Sequence, residues 1–286
     1  MTQSPYDPQP TPGAPRAHDP YGQDPFAHGA QPQGAPAHGS PGAAPQGSAG
    51  APGPAPGTDL GADLGAGLRF ARDAMLRNPV AFIVPGVIYG VLAFVLIIGA
   101  TILGFVLAAP QIEAAAYSED PPLGVFLTIY GLIALGGLAS MPLMWFWQSG
   151  AVRAGAEVIA GRRPSFGQAM IGTGRILLTM LLVTVIVWVG LVLFYIPGLI
   201  ASVLLAYALP ASARGARPVE AIKESFSLVK NNLVTVIVAA LVIAAIGTVA
   251  GFLVITLVVI IPFTVLFQQG IYERLSGREL AEPVRA

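Results

Sequence analysis

The sequence predicts an all-α membrane protein in which six transmembrane helices form three hairpins, with short cytoplasmic amphipathic helices and a disordered N-terminal tail. Only 10% of the 286 residues are charged, and the mean hydropathy is +0.69. The 15 Lys and Arg residues fall into four short clusters. The segments between the clusters, 78–152, 176–213 and 231–272, contain no basic residue. This combination excludes a soluble globular domain.

The number of passes follows from the lengths of these three segments. A helix needs about 20 apolar residues to cross the hydrocarbon core, so each segment is long enough for two crossings. An odd number of crossings in any segment would put basic clusters on opposite sides, against the tendency of Lys and Arg to stay in the cytoplasm. The sequence therefore predicts six crossings of the cell (plasma) membrane, with both termini cytoplasmic.

The predicted spans have recognisable limits and turns. They are residues 79–109, 123–150, 176–195, 199–213, 233–246 and 251–271. Pro197 and Gly198 predict a tight outer turn, because Pro presets its backbone angle and Gly tolerates the conformation that follows. A second outer turn is expected near Gly247. Pro210 and Pro262 lie inside apolar spans, where each removes a backbone donor and predicts a kink.

The N-terminal region, residues 1–57, contains 14 Pro and 10 Gly and very few aromatic residues. Such a chain cannot bury enough apolar surface to offset its ordering entropy, so we expect disorder with polyproline II character. It is interpreted either as a solvated spacer or as a docking segment for a cytoplasmic protein partner. Residues 58–275 form the six-helix transmembrane domain, and residues 276–286 form a cytoplasmic C-terminal tail.

Three amphipathic stretches precede the three hairpins. The first carries Leu60, Leu64, Leu68, Ala71 and Met75 on one helical stripe and ends at Arg77 and Asn78. Such helices lie in the cytoplasmic interface with basic side chains near lipid phosphates. The residues expected to contact anionic lipid are Arg69, Arg72, Arg77, Arg162, Arg163, Arg175, Arg217, Lys223 and Lys230. The plainer interpretation is that the stretches only anchor the connections to the membrane.

Two recurring patterns indicate an internal duplication. Gly-x-Arg-Pro occurs at 161–164 and again at 215–218. A Pro, Gln and Gly pattern recurs with identical spacing at Pro142, Gln148 and Gly150 and at Pro262, Gln268 and Gly270. We therefore predict a repeated unit of one amphipathic helix and one hairpin, present up to three times.

Four motifs carry a family resemblance. They are YIPGLI at 195–200, ALPA at 208–211, EAIKES at 220–225 and LVKN at 228–231. The region 150–275 resembles a group of bacterial six-pass membrane proteins that includes the membrane domain of some glycerophosphoryl diester phosphodiesterases. A Pro/Gly-rich tail before such a domain is typical of actinobacterial members. The resemblance implies the six-pass architecture, but it carries no catalytic residue, because the phosphodiesterase domain is absent.

The residues offer little catalytic chemistry. The predicted spans contain no ionisable residue, the chain has no Cys, and all three His lie in the tail. A coupled transporter or an intramembrane enzyme needs such groups. We therefore predict no enzyme activity, no cofactor, no metal site and no nucleic-acid partner. The expected function is that of a scaffold, assembly or accessory subunit in the lipid bilayer; the alternative is a permease or exporter component for an apolar or lipid-like solute. The oligomeric state stays open.

Overall fold

A computed structural model describes residues 54–118, 122–250 and 256–284. Within these residues every regular element is a helix. The predictions for residues 1–53, for residues 119–121 between the first two spans, for residues 251–255 of the sixth span and for residues 285–286 lie outside the described residues. The helices are α1 (Leu60–Arg77), α2 (Pro79–Ala115), α3 (Leu123–Ile159), α4 (Phe166–Met170), α5 (Gly174–Leu193), α6 (Tyr195–Leu204), α7 (Ala208–Arg214), α8 (Pro218–Asn231), α9 (Leu233–Ala250) and α10 (Leu257–Leu275).

Several helices are long and apolar enough to cross a membrane. Among the described residues they are Pro79–Ala115, Leu123–Ile159, Phe166–Leu193 and Tyr195–Arg214, with a fifth if the bent pair of α8 and α9 forms one span. The prediction of an all-helical membrane protein is therefore confirmed.

The first hairpin is longer than predicted. Its helices α2 and α3 have 37 residues each, which at 1.5 Å per residue is about 55 Å, well beyond the hydrocarbon core of about 30 Å. The two helices pack closely at Gly136, where an added Cβ would lie 2.7 Å from the Ala100 Cβ. The extension of α3 to Ile159 also makes Arg153 and Glu157 helical.

The turn predicted at Pro197 and Gly198 is wrong by a few residues. The chain reverses at Phe194, whose backbone is extended, and Pro197 lies in the first turn of α6. Proline is tolerated there because the first amides of a helix have no intrahelical acceptor. Gly198 instead allows α5 and α6 to approach, since a Cβ at this position would lie 2.3 Å from the Leu191 backbone nitrogen.

In place of a kink at Pro210, the helix is interrupted by a turn at residues 205–207. Helix α6 ends at Leu204 and α7 begins at Ala208, which puts Pro210 in the first turn of α7. Ser225 of α8 satisfies the break: its hydroxyl donates to the Leu204 carbonyl (2.8 Å) and accepts from the Tyr207 amide (3.1 Å). The span predicted at 199–213 is therefore two helices joined by a hydrogen-bonded turn. Pro262, in contrast, lies inside continuous α10, as predicted.

The last hairpin also differs from the prediction. Helix α9 continues through Gly247 to Ala250, so no turn forms at Gly247. The chain bends by 103° between α8 and α9, which makes α8 roughly perpendicular to a crossing α9. Val219 and Phe226 of α8 are exposed, whereas Ala221 and Val229 are buried. Helix α8 therefore has an apolar face available to lipid and a second face against the protein.

The predicted interfacial helix before the second hairpin is reduced to the five residues of α4. Helix α1 has the predicted limits, but its buried face is Asp63, Gly67, Phe70, Ala71, Ala74 and Met75. This face packs on α10, where Gly67 lies against Gly270, Phe267 and Ile271. Helix α1 is thus part of the protein core, and only its other face is available to lipid.

Candidate functional site

The described Lys and Arg residues of the four basic clusters, at 69–77, 153–175, 214–230 and 274–278, lie at one end of the helical bundle. Arg274 of the fourth cluster binds Asp63, beside the first cluster. Arg214 of the third cluster binds Glu273 at the end of α10. Arg175 of the second cluster donates to the Gly215 carbonyl, 3.0 Å away. We call this region the basic end.

The most buried ion pair of the described chain joins α1 to α10 at the basic end. The Nε of Arg274 donates to Oδ1 of Asp63 over 2.8 Å, and the two side chains are only 7% and 1% exposed. Asp63 also accepts from the Gly57 amide (3.1 Å), and Arg274 donates to the Pro54 carbonyl (3.1 Å). Residues 54–57 are therefore held on α10 by the same pair.

A second buried carboxylate links α7 to the C-terminal segment. Glu273 accepts from Nε of Arg214 and from Nε of Arg278, each over 2.6 Å. Burial lowers the pKa of Arg278, but the interactions with Glu273 and Tyr272 together outweigh burial and leave that pKa above its usual value. Tyr272 donates to Glu224 of α8. The contacts made by Glu273 and Tyr272 fix α7, α8 and α10 relative to one another.

An open cavity of about 350 Å³ lies between α3, α5 and α7 at the basic end. We call it the arginine cavity. Its polar lining side chains are Arg153, Glu157, Arg162, Thr173, Arg175 and Arg214. With four guanidinium groups and one carboxylate, the lining carries a formal charge of +3. The arrangement can bind an anion.

The predicted lipid contacts have different environments. Arg69, Arg163, Arg175, Arg217, Lys223 and Lys230 are exposed. Arg72 and Arg162 are exposed as well, but each is paired with a neighbouring carboxylate, Asp73 and Glu157, whose hydrogen bond raises the pKa of the arginine. Arg77 donates to the Pro283 carbonyl and to Glu282. Arg77 therefore anchors the C-terminal segment to α1.

The repeated glutamines converge on a second cavity, of about 210 Å³. Gln148 of α3 and Gln268 of α10 both line it, together with Thr264, Gln269 and Pro210. Gln148 also lines an apolar groove of about 360 Å³ between α3 and α5. The other groove residues are Met141, Met144, Trp145, Thr184, Val185 and Trp188. The Gln148 side chain thus lines both the glutamine-containing cavity and the apolar groove.

The repeated glycines have a packing role. A Cβ at Gly150 would lie 2.0 Å from the Ala169 carbonyl oxygen of α4, and a Cβ at Gly270 would lie 3.1 Å from Gly67 Cα of α1. The glycine of each repeat therefore lies at a close contact with an amphipathic segment: α4 packs on α3 at Gly150, and α1 packs on α10 at Gly270. This arrangement agrees with the predicted duplication.

Sequence reasoning missed several residues of the basic end. Asp63, Arg153, Arg214, Glu273 and Arg274 were not among the candidate residues. Only Asp63 left a local signal, because it shares a helical face with Gly67, Phe70 and Ala74. The pairing of Arg214 with Glu273 joins residues 59 positions apart, and the local sequence gives no sign of it.

Comparisons with known proteins identify mycobacterial relatives. The chain is 27% identical over 222 residues to "Uncharacterized protein Rv2560" of Mycobacterium tuberculosis (strain ATCC 25618 / H37Rv), an alignment that covers 73% of this chain and 67% of the relative. The same identity and coverage hold for "Uncharacterized protein Mb2590" of Mycobacterium bovis (strain ATCC BAA-935 / AF2122/97). No protein-family model and no solved structure matches. The resemblance to phosphodiesterase membrane domains stays a prediction.

Proposed function

We propose that the chain crosses the plasma membrane six times, with both termini and the basic end in the cytoplasm. The convergence of the basic residues that the structure describes at one end of the bundle supports this topology, because it agrees with the positive-inside tendency. In this arrangement α9 and α10 are the fifth and sixth crossings. The bend before α9 then lays α8 along the cytoplasmic interface, with Val219 and Phe226 towards lipid.

Single cysteines test the topology directly, since the chain has none of its own. We expect Asp120→Cys, Tyr195→Cys and Gly247→Cys to react with a membrane-impermeant maleimide in sealed cells. Arg72→Cys should react only after the cells are opened. Labelling of Arg72→Cys in sealed cells, or labelling of any outer position only after the cells are opened, would contradict six crossings.

We further propose that the protein is a non-catalytic accessory or assembly subunit that binds a cytoplasmic partner. The observation that carries this proposal is the anchoring of residues 54–57 to the Asp63–Arg274 pair. The Pro/Gly-rich tail therefore starts from a fixed point on the basic end. A partner bound to the tail would be held beside the exposed basic side chains of α1 and α8, which favour an acidic partner surface.

Deletion of residues 1–53 tests this function and keeps the anchor intact. We expect the truncated protein to insert into the membrane and to have the same free energy of unfolding as the full chain, because residues 54–57 and α1 are retained. In cells, crosslinks from a photoreactive residue placed at Lys223 to a cytoplasmic protein should be lost, since the tail no longer holds that partner. If the same proteins are crosslinked with and without residues 1–53, the tail does not bind the partner.

A permease for a lipid-like solute is the second candidate, favoured by the groove and cavity that share Gln148. An acyl chain in the apolar groove would bring its polar group to the glutamines. In liposomes, the protein should then accelerate transfer of a labelled lipid between leaflets, and Gln148→Leu should slow this transfer several-fold. Thr101→Val is the control, because Thr101 bonds only the Ile97 carbonyl of its own helix. Transfer no faster than in empty liposomes would exclude this candidate.

A further inference from the structure

We propose that the arginine cavity is a binding site for a phosphate group, carried either by an anionic lipid headgroup or by a soluble phosphate ester. The site consists of Arg153 at the end of α3, Arg175 in the first turn of α5 and Arg214 at the end of α7, with Arg162 on its rim. It goes beyond the accessory function proposed above and does not depend on it.

The first argument is the unused hydrogen-bonding capacity of two arginines. A guanidinium group has five N–H donors in a planar fork that matches phosphate oxygens. Arg175 donates through one nitrogen to the Gly215 carbonyl at 3.0 Å, and Arg153 makes a single long bond of 3.4 Å to the Ile171 carbonyl. Neither has a carboxylate partner among the described residues, so both retain donors and a full charge for a ligand.

The second argument is that the carboxylates near the cavity do not neutralise it. Glu157 pairs with Arg162 over 2.6 Å and offsets one charge. Glu273 lies behind Arg214 and is already shared with Arg278. It therefore orients Arg214 without occupying the cavity. Arg153 and Arg175 supply the excess positive charge, and a phosphate would balance it.

The third argument is the place of the cavity in the fold. Thr173 lines the cavity as the N-cap of α5, so the first turn of a 20-residue helix and its partial positive charge adjoin the arginines. A volume of about 350 Å³ is in the range of small-ligand pockets. In the six-pass arrangement this position is level with cytoplasmic lipid headgroups, and basic pockets between helices at this level bind phosphorylated headgroups.

The experiment measures binding of fluorescent phosphatidic acid to the purified full-length protein in a neutral detergent at about 0.15 M salt, where distant charges are screened. Arg153→Gln and Arg175→Gln should each weaken binding at least about tenfold, as expected for a lost charge-assisted contact. Arg153→Lys keeps the charge without the fork and should fall between the parent and Arg153→Gln. Arg163→Gln removes the same charge next to the cavity and should weaken binding less than about threefold. Thermal unfolding of each variant confirms that the fold is kept.

Competition then identifies the source of the phosphate. If inorganic phosphate or glycerol 3-phosphate at millimolar concentration displaces the lipid, the site takes a soluble phosphate group. If neither displaces the lipid, the site takes a membrane headgroup. Binding no stronger than that of a labelled neutral lipid overturns the proposal, as does equal loss in Arg163→Gln and Arg153→Gln. An incorrect topology would appear separately, in the cysteine labelling.

Discussion

Asp63→Ala is expected to lower the free energy of unfolding by about 3 kcal/mol, because the buried guanidinium of Arg274 then keeps only the longer pair with the exposed Glu279, 3.5 Å away. Both side chains of this pair are almost fully buried, at 1% and 7% exposure. The substitution also removes the acceptor of the Gly57 amide. The loss should be measured by equilibrium unfolding in mixed micelles, with circular dichroism as the signal.

Asp73→Ala is the matched control. Asp73 lies on the same helix and also pairs with an arginine, but the partner Arg72 is 62% exposed. A surface pair of this kind contributes little to stability, so the free energy of unfolding should not change measurably. In Asp63→Ala, but not in Asp73→Ala, α1 should separate from α10, and trypsin should then cleave after Arg69, since the adjoining Phe70 is no longer buried.

The double variant Asp63→Leu with Arg274→Met distinguishes the loss of the ion pair from the loss of packing as the cause of the destabilisation. Replacing both members of a buried pair by apolar groups is often neutral or stabilising, so this variant should be more stable than Asp63→Ala. If Asp63→Ala and Asp73→Ala have the same free energy of unfolding, the Asp63–Arg274 pair does not stabilise the contact between α1 and α10.

The sequence predicted elements best where the signal was local and periodic. Helix α1 has its predicted limits because Asp59 caps its first turn, accepting from the Ala62 amide over 2.6 Å, and because Pro79 starts the next helix. Four residues of the predicted stripe face the core: Ala71 and Met75 are buried, and Leu64 and Leu68 pack against them. The buried face also includes Asp63 and Gly67, because Gly67 lies against Gly270 and Asp63 binds Arg274.

Features that depend on distant residues could not be predicted. Proline at position 210 indicated a distortion, but the position and form of the break depend on Ser225, which lies 18 residues beyond Tyr207. The arginine cavity likewise combines α3, α5 and α7. The sequence predicted Arg175 only as a lipid contact and did not single out Arg153, because their common cavity follows from the way α4 folds back on α3.

That fold of α4 on α3 makes Gly150→Ala the substitution with the second-largest expected effect. The new Cβ would lie 2.0 Å from the Ala169 carbonyl oxygen and 2.7 Å from its carbonyl carbon, and these are backbone atoms that cannot rotate away. Overpacking of this kind costs about 1–3 kcal/mol. That exceeds the gain of about 0.5–1 kcal/mol for replacing glycine by alanine in a helix. The net effect on the free energy of unfolding should therefore be a loss.

Gly137→Ala on the same helix is the control, because its effect on the free energy of unfolding should be neutral or in the opposite direction. No atom lies within 4 Å of a Cβ at this position, so only the helix propensity changes and the protein should unfold with equal or greater stability. Because α4 leads directly to Thr173 and Arg175, Gly150→Ala should also weaken binding of labelled phosphatidic acid, and Gly137→Ala should leave it unchanged. If Gly150→Ala unfolds and binds like the parent protein, α4 does not pack on α3 at this glycine, and the wall of the arginine cavity is formed differently.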